Sequence, residues 1–129
     1  MYSTVLRAAV LGLGLAVVSS PAAFAQGDPA AGKKVFRKCQ ACHVVQAGKN
    51  RVGPSLHNIV GQAPGQVEGY KYSKAMIEYG KSNVWDAATL DAYLENPRKA
   101  VKGTKMAFAG LKKQKDRDDV IAYIIEASK

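Results

Sequence analysis

The sequence predicts an all-α domain of several short helices joined by long loops. Three observations carry that expectation. Apolar residues recur at helical spacing in separate short segments, and no stretch alternates as a half-buried strand would. About thirty residues in the middle of the chain are broken repeatedly by glycine and proline.

The elements follow in order. Asp28-Pro29 opens the first helix, with Asp as N-cap and Pro at the first helical position. Ala31, Val35, Phe36, Cys39 and Cys42 then fall on one face. From Val44 to Tyr72 the helical pattern fails, and Gly48, Gly53, Pro54, Gly61, Pro64, Gly65 and Gly69 mark turns. Ser73 caps a short helix through Tyr79 that Gly80 ends. Asp86 starts another, with Leu90, Tyr93 and Leu94 on one face, and Pro97 ends it. Pro97 begins a further short helix closed by Gly103, and Met106 to Leu111 is again irregular. Asp116, Asp118 and Asp119 favour the N-terminus of a last helix, whose apolar side is Val120, Ile121, Tyr123, Ile124 and Ile125.

Composition bounds the function. The chain has 129 residues, 47% apolar and 22% charged, which excludes collagen-like, low-complexity and multi-pass membrane classes. Residues 1–25 read as a secretory signal. Arg7 supplies the charge, Ala8–Val18 the apolar run, Ser19-Ser20-Pro21 the break and Ala23-Phe24-Ala25 the small residues for cleavage after Ala25. The run is well short of the ~20 residues that span a bilayer. The expected mature domain is residues 26–129, and loss of Arg7 takes the formal net charge from +9 to +8. Export permits a disulfide between Cys39 and Cys42, although so small a loop would staple little.

Few, short helices around a long loop give a small core, and a large flat apolar cofactor would fill its middle. Cys39-Gln40-Ala41-Cys42-His43 is C-x-x-C-H, the attachment signature of c-type haem. Two thiols three residues apart at a helix end point to one side, and the next residue offers an imidazole to the iron. Three other readings compete. A thioredoxin-like pair needs a preceding strand and a βαβ pattern, which are missing here; a zinc site needs a further ligand, for which His57 is the remaining nitrogen; and the cysteines could be chance residues of a core helix. For a sixth ligand the chain beyond the signal holds two methionines. Met76 sits on an amphipathic helix, where methionine fills cores. Met106 sits in the irregular segment Gly103 to Gly110, which can carry a sulfur to the face opposite His43.

The chain resembles class I cytochrome c, both bacterial cytochrome c2 and mitochondrial cytochrome c, over about Gly27 to Ser128. The stretches that carry the resemblance are Gly32-Lys33-Lys34-Val35-Phe36, Cys39 to His43, Val52-Gly53-Pro54-Ser55-Leu56-His57, Gly69-Tyr70-Lys71-Tyr72-Ser73, Leu90 to Pro97, Gly103 to Gly110 and Val120-Ile121-Ala122-Tyr123. The resemblance implies the cytochrome c fold, wrapped around one covalent haem c. It implies thioether bonds to Cys39 and Cys42, axial ligation by His43 and Met106, and a Pro54 carbonyl orienting His43. It places Tyr72 and Trp85 on a propionate, Tyr93 and Thr104 near the methionine, and Gly32, Phe36 and Tyr123 between the first and last helices. Two departures stand out. Gln62 replaces the family's usual Arg, which removes a cation from the buried propionate. Lys115 stands where the family often has a capping hydroxyl, so the last helix leans on its acidic first turn.

A low-spin iron with both axial positions filled leaves no room for substrate, so the expected function is electron transfer and not enzymatic catalysis. The alternative is a peroxidase-like haem enzyme with a vacated iron site. By resemblance, Lys38, Arg51, Arg98, Lys105, Lys112 and Lys113 ring the haem edge and steer acidic partners. The expected carrier is a periplasmic monomer of a respiratory or photosynthetic chain. Its donor would be quinol–cytochrome c reductase, and its acceptor a terminal oxidase or photosynthetic reaction centre. Nucleic acid and stable membrane insertion are not expected.

Overall fold

In the computed structural model, which describes residues 27–129, five helices follow one another with no strand among the described residues. They are α1 (Pro29–Phe36), α2 (Lys74–Gly80), α3 (Ala87–Glu95), α4 (Pro97–Ala100) and α5 (Gln114–Ala127). The expected signal segment lies outside the described residues. No described helix is long and apolar enough to cross a membrane.

Local chemistry starts most of these helices where the sequence places them. The side chains of Asp28, Ser73, Asp86 and Asn96 each accept a backbone N–H of the first turn of α1, α2, α3 and α4. Pro29 and Pro97 occupy first-turn positions where a missing N–H costs nothing.

Three boundaries differ from expectation, the simplest being α4, which ends at Ala100 and does not run on to Gly103. The first helix stops at Phe36 and does not reach Cys42. Lys38 N–H and Cys39 N–H bond back three residues, to Val35 and Phe36 at 3.1 and 2.8 Å, which tightens the coil and ends the α-helical ladder. The cysteines therefore sit on successive turns beyond the helix. The last helix begins at Gln114, so its N-cap is Lys113, which makes no side-chain capping bond. Lys115 lies inside the helix and pairs with Asp119 at 2.8 Å. Of the three aspartates, only Asp116 falls in the first turn.

The terminal helices α1 and α5 pack face to face, with the Phe36 and Tyr123 rings 5.0 Å apart. Gly32 is buried at their crossing, where a Cβ would strike the Asp119 carbonyl oxygen. The core continues through Val120, Ile121 and Ile124 of α5, Leu90, Tyr93 and Leu94 of α3, and Met76 and Trp85.

Asp119 ties this crossing electrostatically. Its side chain is only 5% exposed and accepts from the Asp28 N–H and the Lys115 ammonium, both at 2.8 Å. Lys115 and the Asp28 N–H hold its carboxyl below the usual 3.8. A carboxyl whose pKa is lower folded than unfolded contributes stability above the unfolded value and loses it as pH falls through the folded one. Stability should therefore decline below about pH 4, and Asp119→Asn should flatten that acid limb. Urea midpoints measured from pH 2 to 7 on both proteins check this.

Arg117 is the buried charge that sequence reading did not single out. It is 5% exposed and donates to Asp91 Oδ1 at 2.7 Å, the Leu111 and Lys112 carbonyls at 2.7 and 3.1 Å, and Gln114 Oε1 at 2.6 Å. One guanidinium thus joins α3, α5 and the end of the Met106 loop. Arg117→Met leaves the two carbonyls without this donor, while Asp91 keeps the Gln114 amide at 2.7 Å. Asp91 is 31% exposed, so water recovers part of the loss. The expected cost is about 2 kcal/mol, measured by urea unfolding.

Candidate functional site

The long loop, the turns after α1 and the Met106 segment enclose a cavity of about 330 Å³. Its walls are mainly apolar, with Leu56, Ile59, Leu90, Leu94, Phe108 and Ile124 among them. Cys39, Cys42, His43, Pro54, Tyr72, Trp85, Tyr93, Thr104 and Met106 all line it. Every residue proposed from sequence to hold or surround a cofactor therefore meets in one place.

The cysteine side is built by turns. Cys42 N–H and His43 N–H both bond to the Cys39 carbonyl, at 3.1 and 2.9 Å, and Gly53 N–H bonds to the Cys42 carbonyl at 2.9 Å. Both cysteines are partly buried and free, so the disulfide allowed by export is not formed. Burial first, then the neighbouring Cys42, pushes the Cys39 thiol up to about 11, against the opposing pull of Lys38. A redox-active pair of the thioredoxin kind needs a lowered thiol pKa and an exposed thiolate. The Cys39 thiol is shifted the opposite way and is partly buried.

His43 is positioned from both sides. Its Nδ1 lies 2.7 Å from the Pro54 carbonyl, which can only accept, so Nδ1 carries the proton. Burial holds the imidazole below its ordinary pKa, with the Pro54 bond opposing. The ring is therefore neutral at physiological pH, and its Nε2 lone pair is left for a metal. Gly53 packs flat against this ring, where a Cβ would come within 2.7 Å of Nε2.

On another wall, Tyr93 Oη and Thr104 Oγ1 are 2.8 Å apart, and Thr104 Oγ1 accepts the Met106 N–H at 3.3 Å. Burial raises the Tyr93 phenol, which keeps its proton. The Trp85 ring lies 5.1 Å from that of Tyr93. Tyr72 Oη accepts the Val67 N–H at 3.3 Å.

The other candidates divide. Met76 is 7% exposed and lines the same cavity, so it is both core and cavity wall. Gln62 turns away, donating to the Asn58 carbonyl at 2.7 Å and lining a separate cleft. His57 lines that same cleft with its Nε2 3.1 Å from the Asn58 amide nitrogen, and no three metal-binding side chains converge among the described residues. That leaves the zinc reading without a site. Lys38 and Lys105 stand on the cavity rim, while Arg51, Arg98, Lys112 and Lys113 are exposed but do not line it. Sequence reading missed Val52, Tyr70 and Ala107 as wall residues, because nothing in their local pattern says which face of a loop turns inward.

Fold and cavity together define a small helical protein built around one mainly apolar cavity lined by two thiols and an imidazole. Haem c fits the residues present: two free thiols, a neutral imidazole with Nε2 available, a glycine cradle against that ring and apolar walls. Comparison with known proteins agrees. A family model described as cytochrome c matches residues 29–128. The chain is 50% identical over 113 residues to the cytochrome c2 of Rhodomicrobium vannielii, covering 87% of this chain and 89% of that one. It is 45% identical over 111 residues to the cytochrome c of Kluyveromyces lactis, covering 84% and 99% respectively. The solved structure of cytochrome cH from Methylobacterium extorquens superposes with a TM-score of 0.72 at 45% identity, covering 77% of this chain and 98% of that one. The chain belongs to the cytochrome c family, as a class I c-type cytochrome with one haem c. It is an electron carrier and not an enzyme.

Proposed function

We propose that this chain is a periplasmic carrier that exchanges single electrons with acidic redox partners of a respiratory or photosynthetic chain. In this reading Cys39 and Cys42 hold the haem by thioethers, and His43 and Met106 are its axial ligands. When bound, the haem supplies a one-electron ferric/ferrous couple. The supporting observation is that His43, with Nδ1 committed to Pro54, and Met106 line one apolar cavity with the two thiols.

The residues divide the work. Pro54 and Gly53 fix the imidazole plane. Thr104 and Tyr93 fix the backbone at Met106. Buried Trp85, Leu90 and Leu94 keep water away, and a thioether ligand in dry surroundings favours the ferrous state. Tyr72 and Trp85 are the candidates for a propionate, with Gln62 turned away from that role. A donor of the quinol–cytochrome c reductase class and an acceptor of the oxidase or reaction-centre class suit the reading. Several relatives are cytochromes c2. The reading of residues 1–25 as a signal, with cleavage expected after Ala25, is what supports the periplasmic location.

Lys38 and Lys105 on the rim, with exposed Arg51, Arg98, Lys112 and Lys113, give the docking face a positive field. Electron exchange with a small anionic redox reagent should therefore slow as salt rises. Stopped-flow rates that change by less than about twofold across the accessible salt range would contradict charge-steered docking. The oxidised protein should show the weak far-red Fe–S band at neutral pH and only slight peroxidase activity. Absence of the band together with strong peroxidase activity would favour the enzyme reading.

A further inference from the structure

Three aromatic rings stand in series between the cavity and the surface. Tyr93 and Trp85 both line the cavity and are 6% and 7% exposed. Their ring centroids are 5.1 Å apart. Tyr79 stands 6.1 Å beyond Trp85, does not line the cavity and is only partly buried. Both separations are those of packed aromatic pairs. Local structure fixes the outer ring. Tyr79 is the penultimate residue of α2, and Asn83 donates to its carbonyl at 2.8 Å. At the next residue, Gly80, a Cβ would strike the Pro64 carbonyl, so the end of α2 is pressed against that turn. Burial first, then the nearby Asp86 carboxylate, raises the Tyr79 phenol, which keeps its proton at neutral pH. Phenylalanine would fill the same three spaces. Each position instead holds one of the two side-chain rings that lose an electron most readily, and the outermost reaches water.

We propose that Tyr93, Trp85 and Tyr79 form a relay that carries oxidising equivalents out of the haem cavity to the surface when peroxide enters it. The relay needs haem c in the cavity and holds whichever methionine binds the iron. One peroxide takes up two electrons and two protons, its O–O bond breaks, and two waters form. Each electron comes from the phenol of Tyr79 and passes inward by Trp85 and Tyr93. The phenolic proton leaves to water, with the exposed Asp86 carboxylate nearby to accept it. Two Tyr79 rings, each oxidised by one electron in separate molecules, then join by a carbon–carbon bond. The net change turns one peroxide and two tyrosines into one dityrosine and two waters. The remaining rings are placed differently. Tyr70 and Tyr72, 4.8 Å apart, both belong to the cavity wall. Tyr123 packs on Phe36, whose ring is hard to oxidise.

The test treats the oxidised holoprotein with enough hydrogen peroxide to fade its haem absorption. Peptide mass spectrometry locates the cross-link in the covalent dimer, and the absorption gives the rate of fading. Wild type should yield dityrosine at Tyr79. Tyr79→Phe keeps the ring and removes the phenol. It should lose that dimer, and its haem should fade faster because the oxidising equivalents stay inside. Trp85→Phe leaves Tyr79 at the surface but interrupts the series, so it too should lose the Tyr79 product. Tyr70→Phe should retain it. A Tyr79 cross-link that persists in Trp85→Phe would overturn the relay, since the oxidant would then be reaching Tyr79 from outside. Cross-links at Tyr70, Tyr72 or Tyr123 in place of Tyr79 would overturn it as well, as would wild-type haem that fades with no product at Tyr79, or unchanged fading in Tyr79→Phe. Protein isolated without covalent haem would instead overturn the cofactor assignment, and the relay with it.

Discussion

Met106→Ala should abolish the far-red Fe–S band of the oxidised protein and lower its reduction potential by on the order of 100 mV or more. At 59 mV per tenfold, that is a factor of about fifty in the redox equilibrium. Thioether sulfur favours ferrous iron, and water or another hard donor in its place favours ferric iron. If Met106 is the ligand as proposed, the effect should be large because its loop is held in place. Thr104 Oγ1 takes the Met106 N–H, and Tyr93 holds Thr104. Removing the sulfur leaves that scaffold intact around an open coordination position, so peroxidase activity should rise in the same variant. Met76→Ala provides the comparison. Met76 lines the same cavity but sits in the first turn of α2 and is nearly buried. Its removal should cost stability as a core truncation and leave the band in place. A band that survives in Met106→Ala and vanishes in Met76→Ala would mean that the other methionine is the ligand.

Gly32→Val should produce the largest loss of stability, about 4 kcal/mol. Glycine inside a helix is itself unfavourable by up to about 1 kcal/mol relative to alanine, so its presence mid-helix asks for a reason. The reason is contact between backbones: a Cβ at Gly32 would overlap the Asp119 carbonyl oxygen and come within 2.9 Å of Tyr123 Cβ. Overpacking against side chains costs about 1–3 kcal/mol because rotamers can yield. Here the obstacle is the backbone of α5, so the two helices must part. Parting them also loosens the Phe36–Tyr123 contact and the Asp28–Asp119 bond. For a domain of this size the midpoint of thermal unfolding should fall by about 20 °C. The far-red band should persist below that midpoint, since Gly32 does not line the cavity that holds Met106. A midpoint within about 3 °C of wild type would show that α1 and α5 can separate freely.

Much of the architecture was legible because its signals are local. Asp28-Pro29, Ser73, Asp86 and Pro97 carry their start signals in one or two residues, and four helices start where those residues stand. C-x-x-C-H and the loop methionine are local signals too, and Cys39, Cys42, His43 and Met106 all line one cavity. What escaped notice depends on distant partners. The helix before Cys39 ends at Phe36 because the chain tightens into turns there, while the apolar spacing continues across the end without a break. Arg117 reads as one more surface charge until Asp91 and two carbonyls are brought to it by the fold. Gly53 resembles any loop glycine until the His43 ring lies against it. Of the six basic residues expected around the haem edge, two line the cavity, and the alternation of a loop offers no rule that would have chosen them.

The most direct test is peptide mass spectrometry of protein purified from its native compartment. The account expects the peptide spanning Cys39 to His43 to carry the mass of one haem and to resist thiol alkylation at both cysteines. Recovery of that peptide at its bare mass, with two alkylatable thiols, would contradict it.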